Sequence, residues 1–496
     1  MGVRANDIVS FKAYGLADLE HSVAITPQTI FEAGSVSKQF TAAAVLLLAK
    51  DGKLSLDDPA RKYIPELLDY GSPLTIRHLL THTSGLRDWG SVVEIAGSPR
   101  WSRVYTHADV LEIVGRQRAL NFFPGTQWSY SNTGYNLAAI VVSRVSGVSF
   151  EEFTRRRMFE PLGMMDTSWD VDHTRVVPRR AVGYSEQTDG FHTFIAFEDV
   201  YGNRGLLTTV GDLLKWNENF VSPKVGDLAF VRELEQPGRF SDGRRHNYAF
   251  GLFVGERNAL REISHGGGTA GYRADLVRYP DQQVSVAVLC NVTTANATDY
   301  SRAVADLYLP PAKPASVEAY RLTEAEFAGA TGLYRHRVTG VPLTLARDQD
   351  RIRLDFGGSS APLTALTGSR FLVMPGFTID ADANDVRLTS PFGTVETFVR
   401  VRPARPTVEQ LREYVGDYVS DEAAASISIA LENGSLMLNR RPDTKLQLSA
   451  TYADAFNVTR LGMLIFRRDI SGRIIELSVV QDRVWDLRFT RSTSSP

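Results

Sequence analysis

The sequence predicts an α+β fold, an antiparallel sheet with a helical region, followed by two small antiparallel β-barrels. Three observations predict it. A helix-rich stretch reaching to about Trp216 gives way to short strand candidates separated by turn residues. The segment Leu309 to Ser316, with Pro310, Pro311 and Pro314, then reads as a linker. Everything beyond it is strand-like and repeats itself. Gly332 and Tyr334 recur as Gly416 and Tyr418 at an offset of 84 (416 minus 332), and Leu343, Leu345, Ile352 and Leu354 recur at that offset as Ile427, Ile429, Leu436 and Leu438.

Taken in order, Ile8 to Tyr14 reads as a strand, and Pro27 to Gly34 leads into a helix from about Val36 to Lys50. Val36, Phe40, Ala43, Ala44, Leu47 and Leu48 recur there at helical spacing, and Gly52 is a suitable stop. Thr209 to Asp212 has the form of a capping box. Tyr248 to Glu256, Ala259 to Ser264, Tyr272 to Tyr279 and Val284 to Asn291 read as strands, and Thr298 to Leu309 as a closing helix with Thr298 as its N-cap. These elements assemble as an antiparallel sheet flanked by helices, its first strand supplied by the N-terminus. A second linker is expected at Arg402 to Thr407. Each repeat, at roughly 80 residues, has room for about eight short strands, which suits an up-and-down barrel. The expected units are 1–312, 320–402 and 408–496.

Composition narrows the function. At about 100 to 200 residues per domain, the 496 residues predict several domains. Hydrophobic residues at 43% and charged residues at 23% are ordinary globular usage, which argues against disorder and coiled coil. The 55 Lys and Arg nearly cancel the 57 Asp and Glu, leaving -2, so no broad field attracts nucleic acid or anionic lipid. The one cysteine, Cys290, excludes an internal disulfide and ends an apolar strand candidate, where it is expected to be buried and inert. The most apolar run, Thr41 to Ala49, is far short of the ~20 residues of a membrane span. Met1 to Asp7 lacks the apolar core of a signal peptide, so the chain as written is not addressed for export. With no Walker or Rossmann glycine pattern, no nucleotide cofactor is expected.

Three short segments carry chemistry. In Ser35-Val36-Ser37-Lys38, Ser35 sits at a helix start and Lys38 one turn on, so the two side chains share a face. A serine hydroxyl is a weak nucleophile until a neighbouring base takes its proton, and a lysine amine is such a base only when its pKa is depressed. Tyr130-Ser131-Asn132 follows the Pro124-Gly125 turn in a loop between helices. His265-Gly266-Gly267-Gly268 ends one strand candidate and precedes another, and consecutive glycines let a backbone approach a ligand closely. Taken singly, each is explained as well by structure: a helix cap, a loop and a hairpin bend.

Together, in this order and at separations of 95 (130 minus 35) and 135 (265 minus 130), the three resemble the penicillin-recognising serine hydrolases. They are most similar to the class C β-lactamase, esterase and D-aminopeptidase branch, where His can replace Lys at the head of the third motif. Thr81-His82-Thr83-Ser84-Gly85-Leu86, Pro124-Gly125 and Gly205-Leu206-Leu207-Thr208 also look like family sequence. The resemblance covers about Ile8 to Leu309 and implies a β-lactamase-like sheet-and-helix domain. It also implies roles. Ser35 would be the acylated nucleophile, Lys38 and Tyr130 the proton-transfer pair, and Asn132 a donor to the substrate amide. The backbone N–H groups of Ser35 and Gly268 would form the oxyanion hole. His265 would replace a lysine that suits substrates with a free carboxylate, because a largely neutral imidazole attracts a carboxylate less.

The tail of two lipocalin-like barrels resembles D-stereospecific aminopeptidases, which implies that a loop of the second barrel reaches the catalytic cleft. Asp454, in a turn beside Tyr452 and Phe456, is the candidate acid there for a substrate's α-ammonium. Family members usually have an N-terminal helix and a full first hairpin before the Tyr14-Gly15-Leu16-Ala17 segment, often behind a signal peptide for the periplasm or secretion, and only 13 residues precede Tyr14 here. A truncated N-terminus is one reading of that.

The expected activity is therefore hydrolysis through an acyl-serine, with a D-aminopeptidase or amidase favoured and carboxylesterase, β-lactamase or D,D-carboxypeptidase activity as alternatives. The expected substrate is a small peptide, amide or ester, with no cofactor and no metal. A homodimer is allowed. A catalytically silent binding or sensing module is the non-enzyme alternative, but such a module has no need of Ser35, Lys38 and Tyr130 together. His78 and His82 are four apart, as zinc ligands can be, yet position 79 is Leu where a metalloprotease needs Glu, and His82 is read as a turn-fixing hydrogen bonder. The run His265 to Gly268 also mimics an α/β-hydrolase oxyanion loop, but no Gly-x-Ser-x-Gly accompanies it.

Overall fold

The structure, a computed structural model, describes residues 1–6, 8–311, 319–374, 376–391 and 394–492. The linker expected from Leu309 to Ser316 lies outside the described residues from position 312 on.

Six antiparallel strands form the main sheet in the spatial order Phe253–Arg257, Leu260–Thr269, Tyr272–Tyr279, Val284–Cys290, Gly2–Ala5 and Ile8–Phe11. The expected single strand from Ile8 to Tyr14 is corrected. A hairpin stands before Tyr14, with Gly2 opposite Phe11 and Ala5 opposite Ile8, and its inner strand pairs with Val284–Cys290. Apolar burial selects that arrangement: Val3 and Ala5 are buried, whereas Ile8, Val9 and Phe11 remain exposed on the edge. Cys290 is half-buried at the end of its strand, and burial raises its thiol pKa.

The closing helix is Ala297–Asp306, and its cap is Asn296 rather than Thr298. Asn296 accepts from the Asp299 N–H at 3.2 Å, while the Thr298 hydroxyl donates to the buried Asp275 carboxylate at 3.1 Å. Thr209 does cap Val210–Glu218, accepting from the Asp212 N–H at 3.2 Å. The Asp212 carboxylate turns away to the Thr167 hydroxyl at 2.8 Å, so the reciprocal arm of the box is not made.

In the helical layer, Ser37–Lys50 is buried at every position from Ser37 to Leu48 and packs on Asn132–Ser146. A helix buried all round belongs in the middle of a layer, where a polar side chain survives only if it is fully partnered. The helix ends at Asp51 and Gly52, the latter at φ +69°.

Both repeats are closed barrels of eight strands, running from Gly332–His336 to Val395–Val401 and from Gly416–Ser420 to Val484–Arg491. The offset of the sequence repeat is visible in the chemistry. Tyr334 donates to the Ala330 carbonyl at 2.7 Å and Tyr418 to the Tyr414 carbonyl at 2.9 Å, each four residues upstream. Thr323 with Glu326, and Thr407 with Gln410, make capping boxes on the short helix before each barrel. The buried core of the helical layer continues into the second barrel, whereas the first barrel has a separate core.

Hairpin turns of an up-and-down barrel alternate between its two ends. In the second barrel, one end carries Glu422, Arg441 and Arg483, and this end meets the helical layer. Arg87 pairs with Glu422, Arg441 Nε donates to the Ala96 carbonyl at 2.7 Å, and the Asp88 N–H donates to the Arg483 carbonyl at 3.3 Å. The opposite end meets the first barrel, where the Tyr452 hydroxyl donates to the Gly340 carbonyl.

Candidate active site

Ser35 lies in a single 3-10 turn, Gly34–Val36, that runs directly into the Ser37–Lys50 helix. The strand Leu260–Thr269 passes beside that turn, and His265 to Gly268 lie within it, which corrects the reading of those residues as a break between two strands. The glycines serve contact rather than turning. A Cβ on Gly267 would stand 2.0 Å from the Ala33 carbonyl oxygen, and one on Gly34 would stand 2.7 Å from the Gly268 nitrogen. Backbone therefore meets backbone, with the peptide nitrogens of Ser35 and Gly268 on the same small region of the cleft.

Lys38 is fully buried, and its Nζ reaches three oxygens: Ser35 Oγ at 3.0 Å, Asn132 Oδ1 at 2.9 Å and the Asn203 carbonyl at 2.8 Å. Burial drives its pKa well below the ordinary lysine value, and the charges of Arg483 and Arg100 push the same way against a smaller pull from Asp88. A neutral amine has two N–H donors and one lone pair. Asn132 Oδ1 and the Asn203 carbonyl can only accept, so they use both donors and leave the lone pair facing the Ser35 hydroxyl.

Tyr130 packs against Lys38, whose Nζ is 4.7 Å from the ring centroid. Burial raises the phenol well above its usual pKa, with a hydrogen bond to Ser35 and the charge of Arg483 opposing, so Tyr130 stands beside Ser35 as a protonated donor. His82, at φ +59°, fixes the Tyr130-Ser131-Asn132 loop from below. Its Nδ1 accepts from the Ser131 N–H at 3.2 Å and its ring centroid is 4.3 Å from that of Tyr130. His78 accepts from the Thr75 N–H at 3.3 Å in the capping box of its own helix. Asn132 begins its helix with its N–H donated to Asp88 Oδ2 at 2.7 Å. With Oδ1 given to Lys38, its amide nitrogen is without a partner among the described residues.

His265 is buried, and Nδ1 lies 2.6 Å from the Gly266 carbonyl, an acceptor only. Nδ1 therefore carries the proton, and Nε2 accepts from the Tyr248 hydroxyl at 2.9 Å. Burial first, and the Lys38 charge second, hold the imidazole pKa down to about 3.

These groups border a cleft of about 420 Å³ together with Arg483 from the second barrel. The Arg483 guanidinium lies 4.8 Å from the Tyr130 ring centroid. Arg204, behind the cleft, is bound by both oxygens of the buried Glu32 at 2.8 Å each and by Glu198 at 3.3 Å. Arg100, on the rim, is also paired with Glu198. Among the described residues, no carboxylate lines the cleft.

The family model described as Beta-lactamase matches residues 1–309. The chain belongs to this family. Among curated proteins, the D-aminopeptidase of Brucella ovis is 26% identical over an alignment covering 96% of this chain and 92% of that protein. Penicillin-binding protein 4* of Bacillus subtilis is 25% identical over 81% of this chain and 94% of its own length. Among solved structures, the octameric penicillin-binding protein homologue from Pyrococcus abyssi superposes with a TM-score of 0.56, covering 80% of this chain and 94% of its own, and at 24% identity it attests the fold alone. No helix among the described residues is long and apolar enough to cross a membrane.

Set against this beta-lactamase-family frame, five of the expected side chains, Ser35, Lys38, Tyr130, Asn132 and His265, meet at one cleft with the peptide of Gly268. Asp454 does not join them. It sits at φ +60° in the turn between Thr444–Tyr452 and Ala455–Val458, at the barrel end away from the helical layer. There it accepts from Arg468 at 2.8 Å and from the Tyr414 hydroxyl at 2.8 Å. Turn parity is the reason: Asp454 and Arg483 lie three turns apart, at opposite ends of the barrel. Counting strands along the repeat separates Arg483 from Asp454 but does not tell which barrel end meets the helical layer. Tyr248 and Asp88 were also missed, and no local motif marks either.

Proposed function

We propose that this chain hydrolyses small amides or esters through an acyl-Ser35 intermediate. One observation carries the reading: Lys38 spends both N–H donors on Asn132 and Asn203 and keeps its lone pair for the Ser35 hydroxyl at 3.0 Å. Ser35 Oγ attacks the carbonyl carbon and its proton passes to Lys38. The N–H groups of Ser35 and Gly268 hold the developing oxyanion. As the bond to the leaving nitrogen or oxygen breaks, the Tyr130 phenol donates its proton to that atom and recovers one from Lys38. Water then repeats the steps in reverse, releasing the acid and restoring Ser35. His265 stays neutral and keeps its hydrogen bonds to Tyr248 and Gly266, which supports a positioning role. The three-unit division of the chain at 312–320 and 402–408 belongs to the same reading.

Within this class, release of N-terminal D-residues is supported by the D-aminopeptidase relatives, which share both the catalytic unit and the tail. A second reading, hydrolysis of substrates without a free amine in the manner of an esterase or D,D-carboxypeptidase, is favoured by the cleft itself, since no carboxylate lines it to pair an ammonium. Labelling by a fluorophosphonate probe, abolished in Ser35→Ala, tests the acyl-serine. Turnover in the variant should fall by ~10³ or more, and undiminished hydrolysis or labelling would reject Ser35. Rates on D-Ala p-nitroanilide, p-nitrophenyl butyrate and nitrocefin separate the two finer readings.

A further inference from the structure

Ser35 and the Asn203 carbonyl come from segments far apart in the chain, and Lys38 must meet both. The Asn203 carbonyl sits in a turn with glycine at each end, Gly202 at φ +94° and Gly205 at φ +93°. Backbone so permissive does not hold a carbonyl in place unaided. Restraint comes from outside the turn. The Thr41 hydroxyl donates to the Gly202 carbonyl at 2.7 Å, and Asn136 Nδ2 donates to Asn203 Oδ1 at 2.6 Å. A Cβ on Gly202 would stand 2.7 Å from that of Ala139, so the turn also lies directly on the Asn132–Ser146 helix.

The strongest restraint is ionic. Arg204 Nε and Nη2 donate to the two oxygens of Glu32 at 2.8 Å each, and Nη1 donates to Glu198 Oε1 at 3.3 Å and to the Val200 carbonyl at 3.2 Å. The Gly205 N–H also donates to Glu32 Oε1, at 3.1 Å. Both side chains of the pair are buried. Glu32 ends the strand Phe31–Glu32 just ahead of Ser35, so the pair joins the backbone that carries the nucleophile to the backbone that carries the Lys38 acceptor. Two further bonds continue that seam: the Ala33 N–H donates to the Leu206 carbonyl at 2.9 Å, and the Leu206 N–H donates to Ser37 Oγ at 3.1 Å. A buried ion pair loses about as much to desolvation as it gains from attraction, so stability alone does not account for it. A guanidinium fork on a carboxylate, by contrast, fixes both distance and orientation.

We propose that Glu32 and Arg204 are positioning residues for the acyl-serine reaction: their pair fixes the Asn203 carbonyl against Lys38 and thereby keeps the Lys38 lone pair on Ser35. The inference rests on the acyl-serine reading and adds to it what holds the base in register. Neutral Lys38 is oriented by two N–H bonds, to Asn132 and to Asn203, and losing either lets the amine turn its lone pair away from the serine. Glu32 and Arg204 cancel one another in charge, so the pair orients the amine without a net field of its own.

The experiment labels the full chain with a fluorophosphonate and reads it twice: the final amplitude counts intact sites, and the rate constant reports how readily Ser35 gives up its proton. Arg204→Lys keeps the charge without the fork, and Glu32→Gln keeps the shape without the charge. Each should slow labelling by ~10-fold or more at full amplitude, the order expected when a reacting group is misplaced by a fraction of an ångström. Each should also lower kcat with KM little changed, and move the acidic limb of kcat/KM to lower pH, because Lys38 loses a carbonyl that favours its charged form. If neither variant folds, Thr41→Val removes one partner of the same turn and should slow labelling in the same way. Labelling at the wild-type rate in the folded variant, or a loss confined to amplitude, overturns the positioning role and leaves the acyl-serine standing. Absence of labelling in folded wild type removes the acyl-serine reading and this inference with it.

Discussion

The Tyr248 hydroxyl donates to Nε2 of His265 across 2.9 Å, and with the Gly266 carbonyl on Nδ1 this bond determines which ring nitrogen carries the proton. Tyr248 also packs on His82 with ring centroids 4.4 Å apart, so one aromatic residue braces His265 at the cleft and His82 behind it. The arrangement favours neutral imidazole, because a protonated Nε2 would face a hydroxyl that must then turn its lone pair.

Tyr248→Phe keeps the ring packing and removes only that donor. A buried acceptor left without its partner costs about 1 to 3 kcal/mol, which urea unfolding would register. Loss of the donor also raises the His265 pKa from about 3 toward its ordinary value. NMR titration of the His265 ring should show the rise, and an unmoved titration would mean that burial alone sets the charge state.

Lys38 acts as a base only when neutral, so kcat/KM should fall as pH drops through its depressed pKa. Arg483 is one of the charges that depress it. Removing that charge in Arg483→Gln raises the Lys38 pKa, and the acidic limb of the pH profile moves to higher pH. A limb that stays in place would show that Arg483 is too well screened to act on Lys38. Losses in Lys38→Ala and Tyr130→Phe should fall short of adding to that of Ser35→Ala, because the three residues share one proton path.

Asp454→Asn should leave kcat/KM unchanged for both a free-amine substrate and its N-acetyl analogue, since the residue lies at the far end of the barrel. Asparagine tolerates the left-handed backbone at φ +60°, so the change isolates the charge. Arg468 and Tyr414 lose an ionic partner that is partly open to solvent, and the expected cost is ~1 kcal/mol. A selective loss on the free amine would return Asp454 to the cleft.

Short-range spacing made the centre of the site legible. Ser35 and Lys38 are one helical turn apart, Tyr130 and Asn132 flank a helix start, and the glycine run after His265 marks a backbone contact. The barrels were legible because Gly332, Tyr334 and the leucines after them recur in register, down to the capping boxes of Thr323 and Thr407. Arg483 was not, because its meeting with Tyr130 depends on which barrel end docks on the helical layer. That choice is made by Arg87, Asp88 and Asn121 together, none of which carries a sequence signature. Asp454 reads from the sequence as a turn beside aromatics, which it is, but that turn stands at the barrel end away from the helical layer. The strand boundary near Tyr14 and the helix cap near Thr298 shifted because burial of Val3 and the demand of Asp275 for a hydroxyl outweighed local propensity.

Three buried histidines, with the half-buried His107, weaken the fold in acid. Burial holds His265 to about 3 and His107 and His246 to about 4, and it places His82 well below its ordinary value. In the unfolded chain each takes up a proton near pH 6.5, whereas in the folded chain it stays neutral until far lower pH. Their contribution to stability is therefore complete above pH 6.5 and is lost as pH falls toward 4 and below. Asp275 opposes them: burial raises it to about 6, so the folded chain gains a proton there that the unfolded chain binds only near 3.8. At pH 5 the histidines outnumber Asp275, so the unfolded state binds the more protons of the two and stability falls as pH drops. Chemical denaturation at pH 7, 6 and 5 should show a steep decline, and His246→Gln should lessen the slope by close to one proton. A flat profile over that range would mean that these imidazoles are hydrated and titrate normally in the folded protein.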